Sequence, residues 1–299
     1  MLGEFAALGA AISWAVAPIL YRKALANASP VSANIVRCVT NAAVLVVILA
    51  GLGLTGTLTS LPVQVIAVVV VSGIIGLGVG DTLYMVGLKS VGVARAVPLA
   101  ATYPLFSLLW ATLLGEPVTA VAATGTVVIL LGIWLLSREI GDSTIHFRGR
   151  AVAWGVAASL LTAVVWSVSI TLMDFAVTMP GVVSGLEVNY AVVTVRIAGM
   201  ALLMLALAPL LDRKHGFLKL SWRTVALLCV GGLAANGLGW LLMNHSFLNI
   251  DVSQAVPISS TTPLFSTLAG FLFFREKLTR NNTLGAVLVV AGVVLIFIV

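Results

Sequence analysis

Long apolar runs separated by short polar turns dominate this chain. Runs long enough to cross a hydrocarbon core of about 30 Å occur in the first half near residues 4–22, 31–51, 63–88, 95–114 and 119–137. The second half repeats them near 150–173, 187–210, 223–247, 253–274 and 281–299. The pattern therefore predicts ten transmembrane helices, numbered here as segments 1 to 10. Segment 3 is long and rich in glycine, so we expect one kinked or tilted helix there rather than two short ones.

Two stretches of the chain are nearly the same. Residues 96–107 read AVPLAATYPLFS and residues 255–266 read AVPISSTTPLFS, so eight of twelve positions are identical at a spacing of 159 residues. Further pairs at this spacing, or with one extra residue, are Arg37 with Arg196, Gly78 with Gly237, Gly80 with Gly239, Gly125 with Gly285 and Gly132 with Gly292. The chain is therefore a tandem duplication, and we place its units at residues 1–140 and 149–299.

Each unit holds an odd number of helices, so the second unit is expected to lie upside down relative to the first. The predicted fold is an all-α integral membrane protein whose ten transmembrane helices form two inverted five-helix repeats. Such repeats, with interrupted helices at matching positions, are typical of secondary transporters that work by alternating access.

Composition agrees with a membrane protein. Apolar residues make up 61% of the chain and charged residues 9%, with a mean hydropathy of +1.16, whereas a soluble globule is about a quarter charged. The turns that follow the odd-numbered segments contain 14 of the 16 basic residues, and the opposite turns contain none. The positive-inside rule places the loops around Arg148 and Lys214 in the cytoplasm and both termini outside, in a multi-pass protein of the cell membrane. The net charge of +6 therefore reflects orientation, and no nucleic-acid partner is implied.

Each unit carries an arginine in its second segment, an Ala-Val-Pro…Pro-Leu-Phe sequence in its fourth, and a Glu-x-x-Thr…Gly…Gly run into its fifth. This arrangement resembles the EamA-type branch of the drug/metabolite transporter superfamily, from about residue 4 to 299. The resemblance implies that segments 1 to 4 and 6 to 9 surround a central cavity, with segments 5 and 10 at the periphery. It also implies a permease, and specifically an exporter, for a small metabolite or amphipathic solute such as an amino acid or drug.

Polar and aromatic residues share helix faces in several segments, and prolines interrupt segments 4 and 9. Proline removes a backbone donor and frees a carbonyl group that needs another partner. We predict a substrate cavity lined by Trp14, Pro18, Tyr84, Pro98, Thr102, Tyr103, Trp166, Asn236, Trp240, Asn244, Ser259 and Thr262. An aromatic cavity with a few amides and hydroxyls suits a small amphipathic solute. The alternative for the hydroxyl-rich face of segment 9 is helix packing through small residues.

Three charged residues are predicted within the membrane: Arg37, Asp81 and Arg196. Arg37 and Asp81 lie at a similar depth, roughly 9 to 12 Å below the cytoplasmic face, and could pair. Asp81 is then either a proton-coupling carboxylate or one half of a structural clamp with Arg37. The duplicate has Trp240 in place of Asp81, so we expect Arg196 to bond an amide such as Asn236 or Asn244, or to snorkel outward. Glu116 and Glu276 fall at segment ends and are interpreted as boundary residues.

Other classes of function receive less support. An embedded enzyme needs converging catalytic or metal-binding groups, but His146 and His215 fall in loops and only His245 lies near a segment end. Cys38 and Cys229 fall in apolar segments and form no metal-binding cluster. We therefore expect no enzymatic activity, no cofactor and no metal. The expected partners are the lipid bilayer, a small-molecule substrate, and protons or another coupling ion. A flippase for a lipid-linked substrate and a non-transporting scaffold are the alternatives.

Overall fold

The computed structural model describes residues 1–116, 118–138, 150–179, 185–266, 268 and 280–297. Regular structure in these residues is entirely helical. The helices are α1 (Leu2–Ala24), α2 (Pro30–Gly51), a short α3 (Thr55–Ser60), α4 (Val63–Val91), α5 (Val93–Ala100), α6 (Tyr103–Leu113), α7 (Ala120–Arg138), α8 (Arg150–Val177), α9 (Leu186–Leu211), α10 (Trp222–Phe247), α11 (Val252–Ser259) and α12 (Arg280–Phe297). The predictions for Arg148, His146 and Glu276 concern positions outside these ranges.

Within the described ranges, seven helical stretches are long and apolar enough to cross a membrane. They are α1, α2, α4, the stretch Arg95–Leu113 across α5 and α6, then α8, α9 and α10, and two shorter apolar helices lie within α7 and α12. About half of each long stretch is buried. The outer faces carry large apolar side chains such as Val47, which is 70% exposed, and Leu202, which is 69% exposed. An apolar outer surface of this extent requires lipid, and the chain is a multi-pass membrane protein.

Segment 3 forms one continuous helix, α4, with a π-helical turn at Ile74–Gly80. A second π-helical turn lies in α10 at Leu233–Gly239. It begins and ends 159 residues after the first turn, which is the repeat spacing. Glycines in these turns permit close approach by a tryptophan. A Cβ at Gly80 would lie 2.7 Å from Trp166 Cδ1, and a Cβ at Gly239 would overlap Trp14. The π turns therefore accommodate the two indole rings at matched positions.

Segment 4 is interrupted where its prolines predict. Helix α5 ends at Ala100, and α6 begins at Tyr103 after a turn at residues 101 and 102. Hydroxyls bond the carbonyls near this break and near its counterpart after α11. Thr102 Oγ1 donates to the Leu99 carbonyl at 2.7 Å, and Ser260 Oγ donates to the Pro257 carbonyl at 2.7 Å. Much of the predicted polar face therefore bonds the backbone of its own interrupted helix.

Matched positions make matched contacts between the two halves of the chain. Helix α1 packs against α10 and α8 packs against α4, while α2 packs against α9 and α7 against α12. A Cβ at Gly73 would lie 3.1 Å from Arg196 Cγ, and one at the matched Gly232 would lie 2.9 Å from Arg37 Cγ. The arginine of each half is therefore held against a glycine of the other half.

Candidate substrate cavity

A cavity of about 100 Å³ lies among helices of both halves, near the middle of their lengths. Eight of the twelve residues predicted from the sequence line it, and so do all three intramembrane charges. The eight are Trp14, Pro18, Tyr84, Tyr103, Trp166, Asn236, Trp240 and Thr262. The structure thus brings together residues from helices that are far apart along the chain.

Four predicted residues do not line the cavity. Pro98 lies within α5, and Thr102 bonds its own helix break. Ser259 is fully buried, and its Oγ is hydrogen-bonded to Tyr103 Oη at 3.0 Å. Asn244 is also fully buried and donates to Asn189 Oδ1 at 2.9 Å, so it joins α10 to α9. These contacts are structural supports beside the cavity.

Other lining residues lie outside the predicted set. Tyr21 and Ser169 line the cavity, and each lies three residues beyond a predicted residue, Pro18 or Trp166, so helical periodicity is the signal that indicates them. Gly76 and Leu77 belong to the π turn of α4. A π turn shifts the helical phase, and an α-helical period therefore gives no indication of which of its residues face inward.

Aromatic rings form much of the wall. Trp14 and Trp240 meet edge to face with ring centroids 6.0 Å apart, and Trp166 packs on Tyr84 at 4.8 Å and Tyr103 at 6.3 Å. Trp14 Nε1 donates to the Ala235 carbonyl at 2.9 Å. Because such packing and hydrogen bonds fix the rings, the cavity has a largely pre-formed aromatic surface.

The first intramembrane arginine is fully partnered. Arg37 is 1% exposed, and its Nη1 lies 2.5 Å from Asp81 Oδ2. Its Nε and Nη2 donate to Asn34 Oδ1 at 3.1 and 2.6 Å. The other carboxylate oxygen, Asp81 Oδ1, accepts a hydrogen bond from Trp166 Nε1 at 2.8 Å. A buried ion pair needs such additional bonds to offset its desolvation, and this one has them.

The second arginine has different surroundings. Arg196 is also 1% exposed, but its Nη2 donates to Ser169 Oγ at 2.8 Å and its Cζ lies 3.6 Å from the centroid of the Trp240 ring. The expectation that Arg196 bonds an amide or snorkels outward was therefore wrong, because a hydroxyl and an indole face contact this buried guanidinium. Cation–π contact with tryptophan is favourable, most of all away from water.

A second cavity of about 440 Å³ is lined by Glu116, Asp174 and Asp251 among others. These residues follow α6, lie late in α8 and precede α11, so this cavity is near helix ends. Glu116 Oε1 accepts a hydrogen bond from the Ser253 backbone N–H at 2.9 Å, in agreement with a boundary role. The central cavity is the smaller of the two, but it gathers most of the predicted residues and all three intramembrane charges, and it is therefore the candidate substrate site.

An all-helical, multi-pass membrane protein with a small aromatic cavity lined by helices of both halves has an architecture that membrane transporters use. Sequence comparison names the family. The model of the EamA-like transporter family matches residues 1–138 and 153–298. The chain belongs to the EamA-like transporter family, which confirms the resemblance found in its repeated motifs and indicates a transporter rather than an enzyme.

Individual relatives agree with this assignment. A protein of Archaeoglobus fulgidus described as an uncharacterized transporter is 27% identical over 305 residues, covering 100% of this chain and 99% of the relative. A probable 4-amino-4-deoxy-L-arabinose-phosphoundecaprenol flippase subunit of Klebsiella pneumoniae is 36% identical over 77 residues, or 26% of this chain and 63% of the relative. One solved crystal structure superposes with a TM-score of 0.73 at 21% identity, covering 98% of this chain and 95% of the other. The last comparison shows the fold.

Proposed function

We propose that the protein is a secondary transporter that exports a small amphipathic solute, such as an amino acid or drug, across the cell membrane by alternating access. The observation that carries this proposal is the central cavity, whose walls come from α1, α2 and α4 of one half and from α8, α9 and α10 of the other. If the halves exchange conformations, the same cavity faces each side of the membrane in turn.

We infer that the halves are inverted five-helix repeats, at residues 1–140 and 149–299, with ten membrane-spanning helices in all. The matched π turns, the matched arginine–glycine contacts and the pairing of α1 with α10 and α8 with α4 support this inference. If a pseudo-two-fold axis relates these interfaces, each half can adopt the conformation of the other with equivalent contacts.

The walls and volume of the cavity favour a small solute. Its volume of about 100 Å³ is below the roughly 300 to 1,000 Å³ typical of drug-sized ligand sites. Aromatic rings offer contact area to an apolar body, and the few polar groups satisfy an ionic or hydrogen-bonding end. A solute of amino-acid size matches this chemistry better than a large head group.

The test is transport by purified protein in proteoliposomes, with labelled amino acids and other small solutes. We predict that Trp166→Ala and Trp240→Ala each lower the transport rate about tenfold, the effect of removing roughly 1.4 kcal/mol of binding. The matched control is Trp222→Ala, because Trp222 is 80% exposed at the start of α10. Normal transport by both cavity variants would show that the solute binds elsewhere.

A flippase is the second candidate, because of the local similarity to the flippase subunit described above. A lipid-linked substrate must enter from the bilayer between helices, whereas a soluble solute enters from water. Translocation of a fluorescent undecaprenyl-phosphate lipid in the same proteoliposomes, without transport of any soluble solute, would favour the flippase. The opposite pattern would exclude it.

A further inference from the structure

The two arginines at matched positions differ in how many of their N–H donors have partners. Arg37 Nε donates to Asn34 Oδ1, and its Nη1 pairs with Asp81. At the repeat spacing of 159 residues the chain has Val193 in place of Asn34 and Trp240 in place of Asp81. The second half has thus lost both of the acceptor groups that serve the first arginine.

The structure shows the consequence of this loss at Arg196. Its Nε and Nη1 are buried and have no hydrogen-bond partner among the described residues. These are the same two atoms that Asn34 and Asp81 serve in the first half. A guanidinium has five N–H donors, of which Nε and Nη1 carry three. Leaving donors of a buried cation unpaired is costly, and Arg196 is one of the residues that line the cavity.

The unpaired donors belong to Arg196, which lines the cavity, and a second lining residue has a further unpaired donor. Asn236 also lines the cavity, and its Nδ2 has no partner within the described part of the chain. Of the cavity-lining residues described, Arg37, Asp81 and Arg196 are charged, and Asp81 already neutralises Arg37. The wall therefore holds one net positive charge and surplus donors. This combination fits a ligand that brings one negative charge and acceptor oxygens.

The place of Arg196 is fixed by tight packing. A Cβ at Gly76 would lie 3.1 Å from Arg196 Nη2 and would overlap Ser169, the residue that bonds this nitrogen. Stacking on Trp240 orients the guanidinium plane from another side. Packing therefore fixes this guanidinium beside the cavity, and an oxyanion is the kind of group that matches its remaining donors.

We propose that Arg196 binds the carboxylate of the transported solute, while Trp14 and Trp240 contact its apolar body. This assignment rests on the proposed transport function and narrows the solute to a small amphipathic carboxylate. A carboxylate with a single charge balances the one excess positive charge. A phosphate dianion would exceed that charge, and a cationic solute would oppose it.

The test compares carboxylates with their uncharged primary amides as probes. Phenylacetate with phenylacetamide, and isobutyrate with isobutyramide, are titrated into the purified protein in detergent and followed by tryptophan fluorescence and thermal stability. We expect at least one carboxylate to bind the unmodified protein about tenfold more tightly than its amide, a modest effect for a charge-assisted hydrogen bond. Arg196→Gln should reduce this ratio to within about twofold, and Arg196→Lys should give an intermediate value.

The control Arg213→Gln removes one positive charge from an exposed position and should leave the ratio unchanged. Without ligand, Arg196→Gln should unfold at a higher temperature than the unmodified protein, because it removes an incompletely paired buried cation. A merely structural role for Arg196 predicts the reverse. The proposal is overturned if no carboxylate binds, if carboxylates and amides bind alike, or if the preference survives in Arg196→Gln.

Transport assays distinguish failure of this proposal from failure of the proposed function. Transport of a neutral or cationic solute that Arg196→Gln leaves unchanged would support a transporter and reject the carboxylate site. Binding of carboxylates that depends on Arg196, without transport of any solute in proteoliposomes, would support the site and contradict the proposed function.

Discussion

Arg37 and Arg196 occupy matching positions at the repeat spacing, and single neighbouring residues make their surroundings differ. The carboxylate of Asp81 joins Arg37 to Trp166, and thereby links α2, α4 and α8 across the cavity wall. This geometry favours the structural clamp among the two interpretations of Asp81. Arg37 has acceptors for its Nε and Nη1, whereas the same two atoms of Arg196 have no hydrogen-bond partner among the described residues.

We predict that Asp81→Asn destabilises the protein strongly, by about 3 to 5 kcal/mol, because it leaves Arg37 as an uncompensated buried charge. The double variant Arg37→Gln/Asp81→Asn should recover most of the loss. Thermal unfolding in detergent measures both, as a double-mutant cycle.

Proton coupling gives a different outcome in the same proteins. If Asp81→Asn folds normally, abolishes pH-driven transport and leaves solute exchange intact, the carboxylate takes part in coupling and the clamp interpretation fails. Additive losses in the cycle would likewise contradict the clamp.

At the scale of helices, glycine sets the distance between α7 and α12. A Cβ at Gly132 would lie 2.7 Å from the Gly285 carbonyl oxygen, and one at Gly125 would lie 2.9 Å from the Gly292 carbonyl oxygen. The repeat pairs Gly125 with Gly285 and Gly132 with Gly292, whereas the contacts join Gly125 to Gly292 and Gly132 to Gly285. Small residues allow such close packing in membranes, where lipid supplies no hydrophobic drive for association.

We predict that Gly132→Ala lowers stability by about 1 to 3 kcal/mol, the usual cost of overpacking, because the neighbouring group is backbone and cannot move aside. Gly51→Ala is the matched control, since it lies in a helix with open space around its Cβ position. That control should be neutral or slightly stabilising. Equal effects of the two substitutions on the unfolding temperature would show that the α7–α12 contact is looser than described.

For the whole molecule, the uneven distribution of basic residues predicts the orientation. Two described turns test it well, because both present exposed side chains: Lys214 after α9, predicted to be cytoplasmic, and Asn249 before α11, predicted to lie outside. The two turns lie at opposite ends of α10, so they are predicted to lie on opposite sides of the membrane. The location of one turn therefore determines the location of the other.

In a variant with Cys38 and Cys229 replaced by alanine, we predict that Asn249→Cys reacts with an impermeant maleimide in intact cells. Lys214→Cys should react only after the cells are permeabilised, because the positive-inside rule predicts that its loop lies in the cytoplasm. Each variant is the control for the other. Labelling of Lys214→Cys alone in intact cells would reverse the predicted topology.

The sequence by itself determined the class, the family and the position of most helices. Apolar length is a local property, and a lipid environment forces each backbone to satisfy its hydrogen bonds within its own helix. Glycine and proline also act locally on the helix that contains them. The glycines of segment 3 and the prolines of segment 4 therefore indicated where these helices depart from regularity. The repeated motifs were sufficient for the EamA-like assignment, which the family comparison confirms.

Only the tertiary structure decided which faces meet. The spacing of Asn236, Trp240 and Asn244 suggested one common face, and Asn236 and Trp240 do line the cavity. Asn244 lies one regular helical turn beyond Trp240 but does not line the cavity, because its amide is buried against α9 and bonds Asn189 there. Likewise, the sequence indicated that Arg196 lacks the carboxylate partner of Arg37, but not that a hydroxyl of α8 and an indole face of α10 would contact it, because contacts between helices are not encoded in a local pattern.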